Sequence, residues 1–226
     1  MIAKARAYLG SEAALNAVKS VHYVGSMVAP DVSDPKKSIT VALDIIFQAP
    51  YRERTTSSTD TLIDTNALDS YDGWHRIQDP KDLTRVKVQL LATDQVRRQR
   101  AIAWENLGFF RGLEQQGGHV LDQGQVTVAG VVCRKLAFVH SDNIIFYRYF
   151  DEATGRLTLT ETESGSAIRE QGEIMVNGVR FPKVIVNSGK DATGQEKTVT
   201  ITFDRVTINE DFPASVFALP SSYIGK

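Results

Sequence analysis

Between Gln125 and Asn209 the chain offers only strand and turn patterns, and that stretch restricts the fold more than any other feature. Thr198–Asn209 sets Val199, Ile201 and Phe203 against Thr198, Thr200 and Thr202, and Arg156–Thr162 sets Leu157 and Leu159 against Thr158, Thr160 and Thr162. A period of two puts one set on a packed face and the other on a wet one, which is the habit of antiparallel strands. Ala167–Val176 and Val179–Asn187 flank Asn177-Gly178, a type I′ hairpin signal, and Ile144–Phe150 runs into a tight turn over Asp151–Gly155. Val126–Val128 and Val131–His140, broken at Ala129-Gly130, complete the series. No helical period separates these strands, so parallel crossover units are excluded.

The amino-terminal half mixes the two periods. Residues 3–19 read as helix broken at Gly10-Ser11, with Ser11 as the cap of the second piece. Val21–Val28 and Ile39–Phe47 read as strands joined by the loop from Pro30 to Lys37, and Arg52–Thr59 as a Thr-rich strand. Ala67–Tyr71 and Trp74–Gln78 flank Asp72-Gly73, a second expected hairpin turn. Over 93–115 the period returns to that of a helix, with Ala103, Leu107 and Phe110 in one stripe widened by Ile102, Phe109 and Leu113, ending at Gly117-Gly118. The expected fold class is mainly β with helices (α+β): about ten antiparallel strands in one open, curved half-barrel, covered by an amino-terminal helical segment and a central helix. With no linker and no internal repeat, a single domain over 1–226 is expected.

Composition narrows the function classes. Lys plus Arg is 26 and Asp plus Glu 27, so no basic excess exists to neutralise phosphates, and nucleic acid is not an expected partner. The 42% hydrophobic content is that of a globular chain, and no apolar run approaches a spanning helix. Met1–Arg6 lacks a following apolar stretch of about 7–15 residues. Taken literally that means a cytoplasmic protein; if an export signal preceded Met1, an exported one. Cys133 stands alone, which excludes an internal disulfide and a Cys-rich zinc site.

No sequence motif of nucleophilic, phosphate-binding, dinucleotide-binding or zinc-protease chemistry is present. His22, His75, His119 and His140 lie far apart in sequence, so no local metal-ligand spacing exists, and no metal or cofactor is expected. Cys133 has Arg134 and Lys135 beside it, but neighbours on a strand point to opposite faces, so a buried, inert thiol is expected. Glu161 and Glu163 share a strand face and could do acid–base work, against the plainer reading of a solvated row. Arg97, Arg98 and Arg100 crowd the first turns of the central helix, where cations oppose the dipole. They either dock an anionic group or pair with carboxylates of the sheet.

Several carboxy-terminal elements in order resemble the periplasmic lipoprotein-sorting family, the LolA/LolB-like superfamily. Tyr149-Phe150-Asp151 turns through Thr154-Gly155-Arg156-Leu157; Gly172–Val176 and Asn177-Gly178 lead to Phe181-Pro182; Val206-Thr207-Ile208-Asn209 runs into Phe212-Pro213 and the closing Phe217-Ala218-Leu219-Pro220. The resemblance covers 145–220 best and the rest by the order of elements. It implies an open half-barrel closed by helices around an apolar cavity, a periplasmic location and a lipid or lipoprotein acyl chain as partner. An envelope protein partner, a monomeric state and no catalytic residues go with it. Inward candidates for the ligand wall are Trp104, Phe109 and Phe110 from the central helix with Leu136, Phe138 and Phe146 from strands. Each buried methylene contributes about 0.8 kcal/mol, so part of an acyl chain gives useful affinity. Two other readings stay open: an interaction domain whose barrel is filled by its own side chains, and a hydrolase with a dispersed site.

Overall fold

A computed structural model describes residues 1–31, 37–190 and 194–220. Two short helices, α1 (Ile2–Leu9) and α2 (Glu12–Asn16), precede the strands β1 (Ser20–Pro30), β2 (Ser38–Gln48), β3 (Arg52–Ser58), β4 (Ile63–Asp69), β5 (Asp72–Gln78) and β6 (Val86–Leu90). Then come α3 (Thr93–Leu107) and β7 (His119–Val128), β8 (Val131–Ser141), β9 (Ile144–Asp151), β10 (Leu157–Thr162), β11 (Ala167–Val176), β12 (Val179–Lys190) and β13 (Glu196–Ile208). The 13 strands follow the order β6-β5-β4-β3-β2-β1-β13-β12-β11-β10-β9-β8-β7, open at β6 and β7. The mainly antiparallel, open α+β class expected from the alternation is what the chain adopts. Against about ten expected strands, 13 form. β6 (Val86–Leu90) has no counterpart in the sequence reading although Val86, Val88 and Leu90 alternate with Lys87 and Gln89, and β4 and β7 begin ahead of the expected Ala67 and Val126. Most of the loop expected between Pro30 and Lys37 lies outside the described residues.

The chain falls into two compact units. The first holds Met1–Ala17, Val28–Ile39 and Gly108–Phe203. Its helices are fixed by glycines at close approaches. Gly10, extended rather than left-handed, pairs with Val179, and a Cβ there would meet the carbonyl oxygen of Gly178 at 2.6 Å. Ser11 then caps α2, its Oγ accepting the amide of Ala14 at 3.2 Å. Gly155 is left-handed (φ 84°) under α1, where a Cβ would come within 2.6 Å of the Lys4 carbonyl oxygen. The carboxylate of Asp151 organises that turn by accepting from the Thr154 hydroxyl (2.7 Å) and the Ala153 amide (2.8 Å). The Thr154 hydrogen bond accordingly holds Asp151 below the usual carboxylate range.

The second unit holds Val18–Met27, Thr40–Leu107 and Asp204–Lys226. Here α3 packs over β3, β4 and β5. The β4–β5 turn falls at Ser70-Tyr71, with Ser70 left-handed (φ 61°), and not at Asp72-Gly73 as the dipeptide suggests. Asp69 pairs with Asp72, so Gly73 is the second residue of β5. It is glycine because a Cβ would sit 2.9 Å from Cγ2 of Val96 on α3. The helix also ends at Leu107, earlier than the expected 115, because Phe109 and Phe110 are left-handed (φ 45° and 69°). Facing α3's side of the sheet, Glu53 on β3 is buried beside Phe47 and Leu68, its register partners. Burial pushes its carboxyl up to about 7, and only the Thr55 hydroxyl, 3.3 Å away, offsets that.

Two expectations follow. Asn177 and Gly178 have φ of 47° and 79°, the type I′ geometry read from the sequence. Gly178→Val should therefore cost at least about 1 kcal/mol in urea denaturation, since a β-branched residue fits that region badly. Glu53 binds its proton more tightly folded than unfolded, so stability is fully present below its ordinary pKa of 4.5 and declines as pH rises through about 7. Glu53→Gln imitates the protonated acid. It should raise stability at pH 8 by up to about 3 kcal/mol and leave it unchanged near pH 4, measured by denaturation at both values.

Candidate functional site

The candidate site belongs to the first unit and starts at Arg6. Its side chain is 3% exposed and spends every N–H it has. Nη1 donates to the carbonyls of Phe109 (2.8 Å) and Gly108 (3.2 Å); Nε and Nη2 grip the two oxygens of Glu12 at 2.7 Å each; Nη2 also reaches Asn16 Oδ1 at 3.3 Å. Arg111 reinforces the cluster with bonds to Glu12 (3.0 Å) and Asn16 (3.2 Å). The Arg6 bond holds the Glu12 carboxyl below its usual range. Two successive non-glycine residues in the left-handed region each cost about 1–2 kcal/mol, and Arg6 grips the carbonyls at that place.

What the turn achieves is the placement of two rings. Phe109 meets Phe181 edge-on at 6.4 Å, and Phe110 meets Phe150 at 5.0 Å and Phe138 at 6.2 Å. The register puts Phe138 opposite Phe146 and Leu136 opposite Arg148, so Leu136, Phe138, Phe146, Arg148 and Phe150 share one face of β8 and β9. Arg148, buried among them, lays its guanidinium 4.8 Å from the ring centres of both Phe110 and Phe138. Across β10 the same face is carried by Thr160 and Thr162, and on β11 to β13 by Ile168, Ile185 and Ile201, which are only half-buried. Glu170 also lies on it; burial raises its pKa, and the Arg148 and Arg156 charges pull the other way.

Five of the six residues expected to line a ligand wall thus fall in this unit, and the structure brings them onto one aromatic cluster or its face. All five are buried. Phe109 and Phe110 arrive from a left-handed turn and not from the helix stripe. Trp104, the sixth, is buried in the second unit on α3. Sequence reasoning missed Arg6, Arg148, Phe150 and Phe181. Arg148 had a signal, a charge at an even position between Phe146 and Phe150 in an otherwise apolar alternation. Arg6 had none, because the two carbonyls it holds lie more than 100 residues away.

The remaining chemical candidates resolve into structural roles. Cys133 is wholly buried with Tyr149 and Leu159, on the opposite face from Arg134, which pairs with Asp122. Glu161 accepts the Tyr149 hydroxyl at 2.5 Å, and burial followed by that contact pushes the phenol well above its usual range. Glu163 accepts the amide of Ile145. His22 lies between Asp44 (2.9 Å) and Glu210 (2.8 Å), and His75 between Asp64 (2.9 Å) and Gln89 (3.2 Å). Among the described residues no group of three or more His, Cys, Asp or Glu could hold a metal ion. Arg100 is inserted between Tyr51 and Tyr71, 3.9 and 4.1 Å from their ring centres, and donates to the Ser70 carbonyl. It docks the helix on two turns, a role that neither reading of the arginine cluster foresaw.

Solved structures share this fold. A domain described as an outer membrane lipoprotein-sorting protein from Vibrio parahaemolyticus aligns with a TM-score of 0.60 at 10% identity, over 99% of this chain and 97% of its own. A LolA superfamily protein from Nitrosomonas europaea gives 0.60 at 12% identity, over 96% of each chain. A DUF1329 family protein from Desulfovibrio piger gives 0.59 at 9% identity, over 96% and 95%. No protein-family model and no curated protein matches the sequence. The chain has the LolA-like open half-barrel fold.

Arg6→Met should lower stability by about 3 kcal/mol in urea denaturation, since two carbonyls lose a charged donor. Glu12→Gln should cost less than about 1 kcal/mol, because Glu12 is 54% exposed. Equal losses would assign the stability to the ion pair and not to the turn.

Proposed function

We propose that the protein is a non-enzymatic periplasmic carrier that binds a lipid or lipoprotein acyl chain on the Phe110 face of its first unit. The observation that carries this reading is the continuity of that face. A packed floor of Phe109, Phe110, Leu136, Phe138 and Phe146 is followed, beyond Thr160 and Thr162 of β10, by half-buried Ile168, Ile185 and Ile201, apolar area that the chain's own side chains leave partly open. An acyl chain lying on those aliphatic residues gains by burial alone and meets few polar groups, so selectivity for chain type should be loose. The fold, shared with proteins described as lipoprotein-sorting domains, supports the same reading. No helix among the described residues is long and apolar enough to cross a membrane.

The complete burial of the five floor residues favours a second reading, an interaction domain whose barrel is self-filled. Titration with a fluorescent fatty-acid probe separates the two. The carrier reading expects saturable binding by the wild type, weakened at least tenfold in Ile201→Glu while the far-UV spectrum and melting temperature hold. Phe110→Ala should then alter probe affinity and lose little stability. No saturable binding, together with a loss of about 3–5 kcal/mol in Phe110→Ala, would leave the self-filled domain.

A further inference from the structure

Three arginines project from one face of the second unit, and two of them have no acid. The register sets Arg54 opposite Ala67 and Ala67 opposite Trp74; one step along, Thr56 faces Thr65 and Thr65 faces Arg76. These residues, with Arg52 and Asp69, share the face turned away from α3, since Gly73 points at Val96 from the other side. Arg52 is committed: its Nε donates to Asp69 at 2.9 Å and its guanidinium lies 5.8 Å from the Phe217 ring. Arg54 and Arg76 form no ion pair with a described carboxylate, and the Nε of each is closed to solvent without a hydrogen-bond partner.

Arg54 and Arg76 lie on one face, on the strands either side of β4 and one step apart. Arg76 lies 5.9 Å from the ring of Trp74, which stands in the row of Arg54 and Ala67. Ala67, between their strands, contributes only a methyl group and is wholly buried. Trp74 is itself fixed, its indole N–H donating to the Phe217 carbonyl at 2.8 Å. Burial and the charge of Arg54 both work against protonation of Arg76. Beside them the hydroxyls of Thr56 and Thr65 lie 3.4 Å apart, and Thr65 has no exposed surface. Like charges brought together over a small residue are unfavourable alone, and an anion between them reverses the sign.

We propose that Arg54, Arg76, Thr56 and Thr65 form an anion site that takes a phosphate group. Two forked guanidiniums and two hydroxyls offer more donors than the two oxygens of a carboxylate can use, whereas a phosphate presents three or more. Its charge also approaches the two positive charges facing it. The site lies in the second unit and does not depend on the carrier reading. The phosphate could be free or borne by a lipid headgroup; the chemistry is shared.

The test uses inorganic phosphate and vesicles as probes at constant ionic strength. Inorganic phosphate should raise the melting temperature of the wild type saturably, and Arg54→Gln/Arg76→Gln should lose that response. Without phosphate the double variant should melt no lower than the wild type, because repulsion has been removed; a merely structural arginine pair would lower it. Arg76→Lys keeps the charge but loses the fork, and should weaken binding severalfold. If the site serves a headgroup, the wild type should instead sediment with phosphatidylcholine vesicles containing phosphatidic acid, at least tenfold more than the double variant. Absence of both responses in the wild type, or equal responses in the double variant, would overturn the proposal.

Discussion

The first unit depends on the bonds that Arg6 makes to the chain more than 100 residues further on. A turn with two consecutive left-handed phenylalanines is not a conformation that its own residues favour. It exists because a buried guanidinium accepts no alternative: each N–H needs an acceptor, and the carbonyls of Gly108 and Phe109 supply two. The same cluster ties α2 to that turn through Glu12 and Asn16. From the turn hang Phe109 and Phe110, and around Phe110 gather Phe138, Phe150 and Arg148.

The second unit obtains its order differently. The helix α3 is held by Arg100 between two tyrosines of neighbouring turns and by Val96 over a strand glycine. The carboxy-terminal segment is attached by the Trp74 indole to the Phe217 carbonyl and by Glu210, whose carboxyl is held low by the Thr207 hydroxyl and then by His22. Each unit thus carries charged groups at buried or half-buried places on its strands: Arg148 and Glu170 in the first, Glu53, Arg54 and Arg76 in the second. Charges at such places are expensive to desolvate, which makes them the informative departures from a plain binary pattern.

The repeating features of the fold were legible. Alternation from Gln125 to Asn209 marked the strands, Asn177-Gly178 marked its turn, and Gly10-Ser11 marked the helix break. Asp72-Gly73 misled because a glycine inside a strand serves equally well to admit a helix side chain, and only Val96 in place shows which is meant. The helix end misled for a related reason. Phe109 and Phe110 continue the stripe that began at Ala103, and periodicity cannot register a φ imposed from Arg6.

Sequence by itself determined the antiparallel, mainly β class and the turn chemistry, because both follow from neighbours two to four residues apart. It also determined which apolar residues would be buried: all six chosen for the ligand wall are. Tertiary structure alone decided which of them meet. It placed Trp104 in one unit and Phe110 in the other, put Arg148 against two rings, and set Arg54 and Arg76 on one face either side of β4. Those contacts depend on strand register and on partners far along the chain, and no local period encodes them.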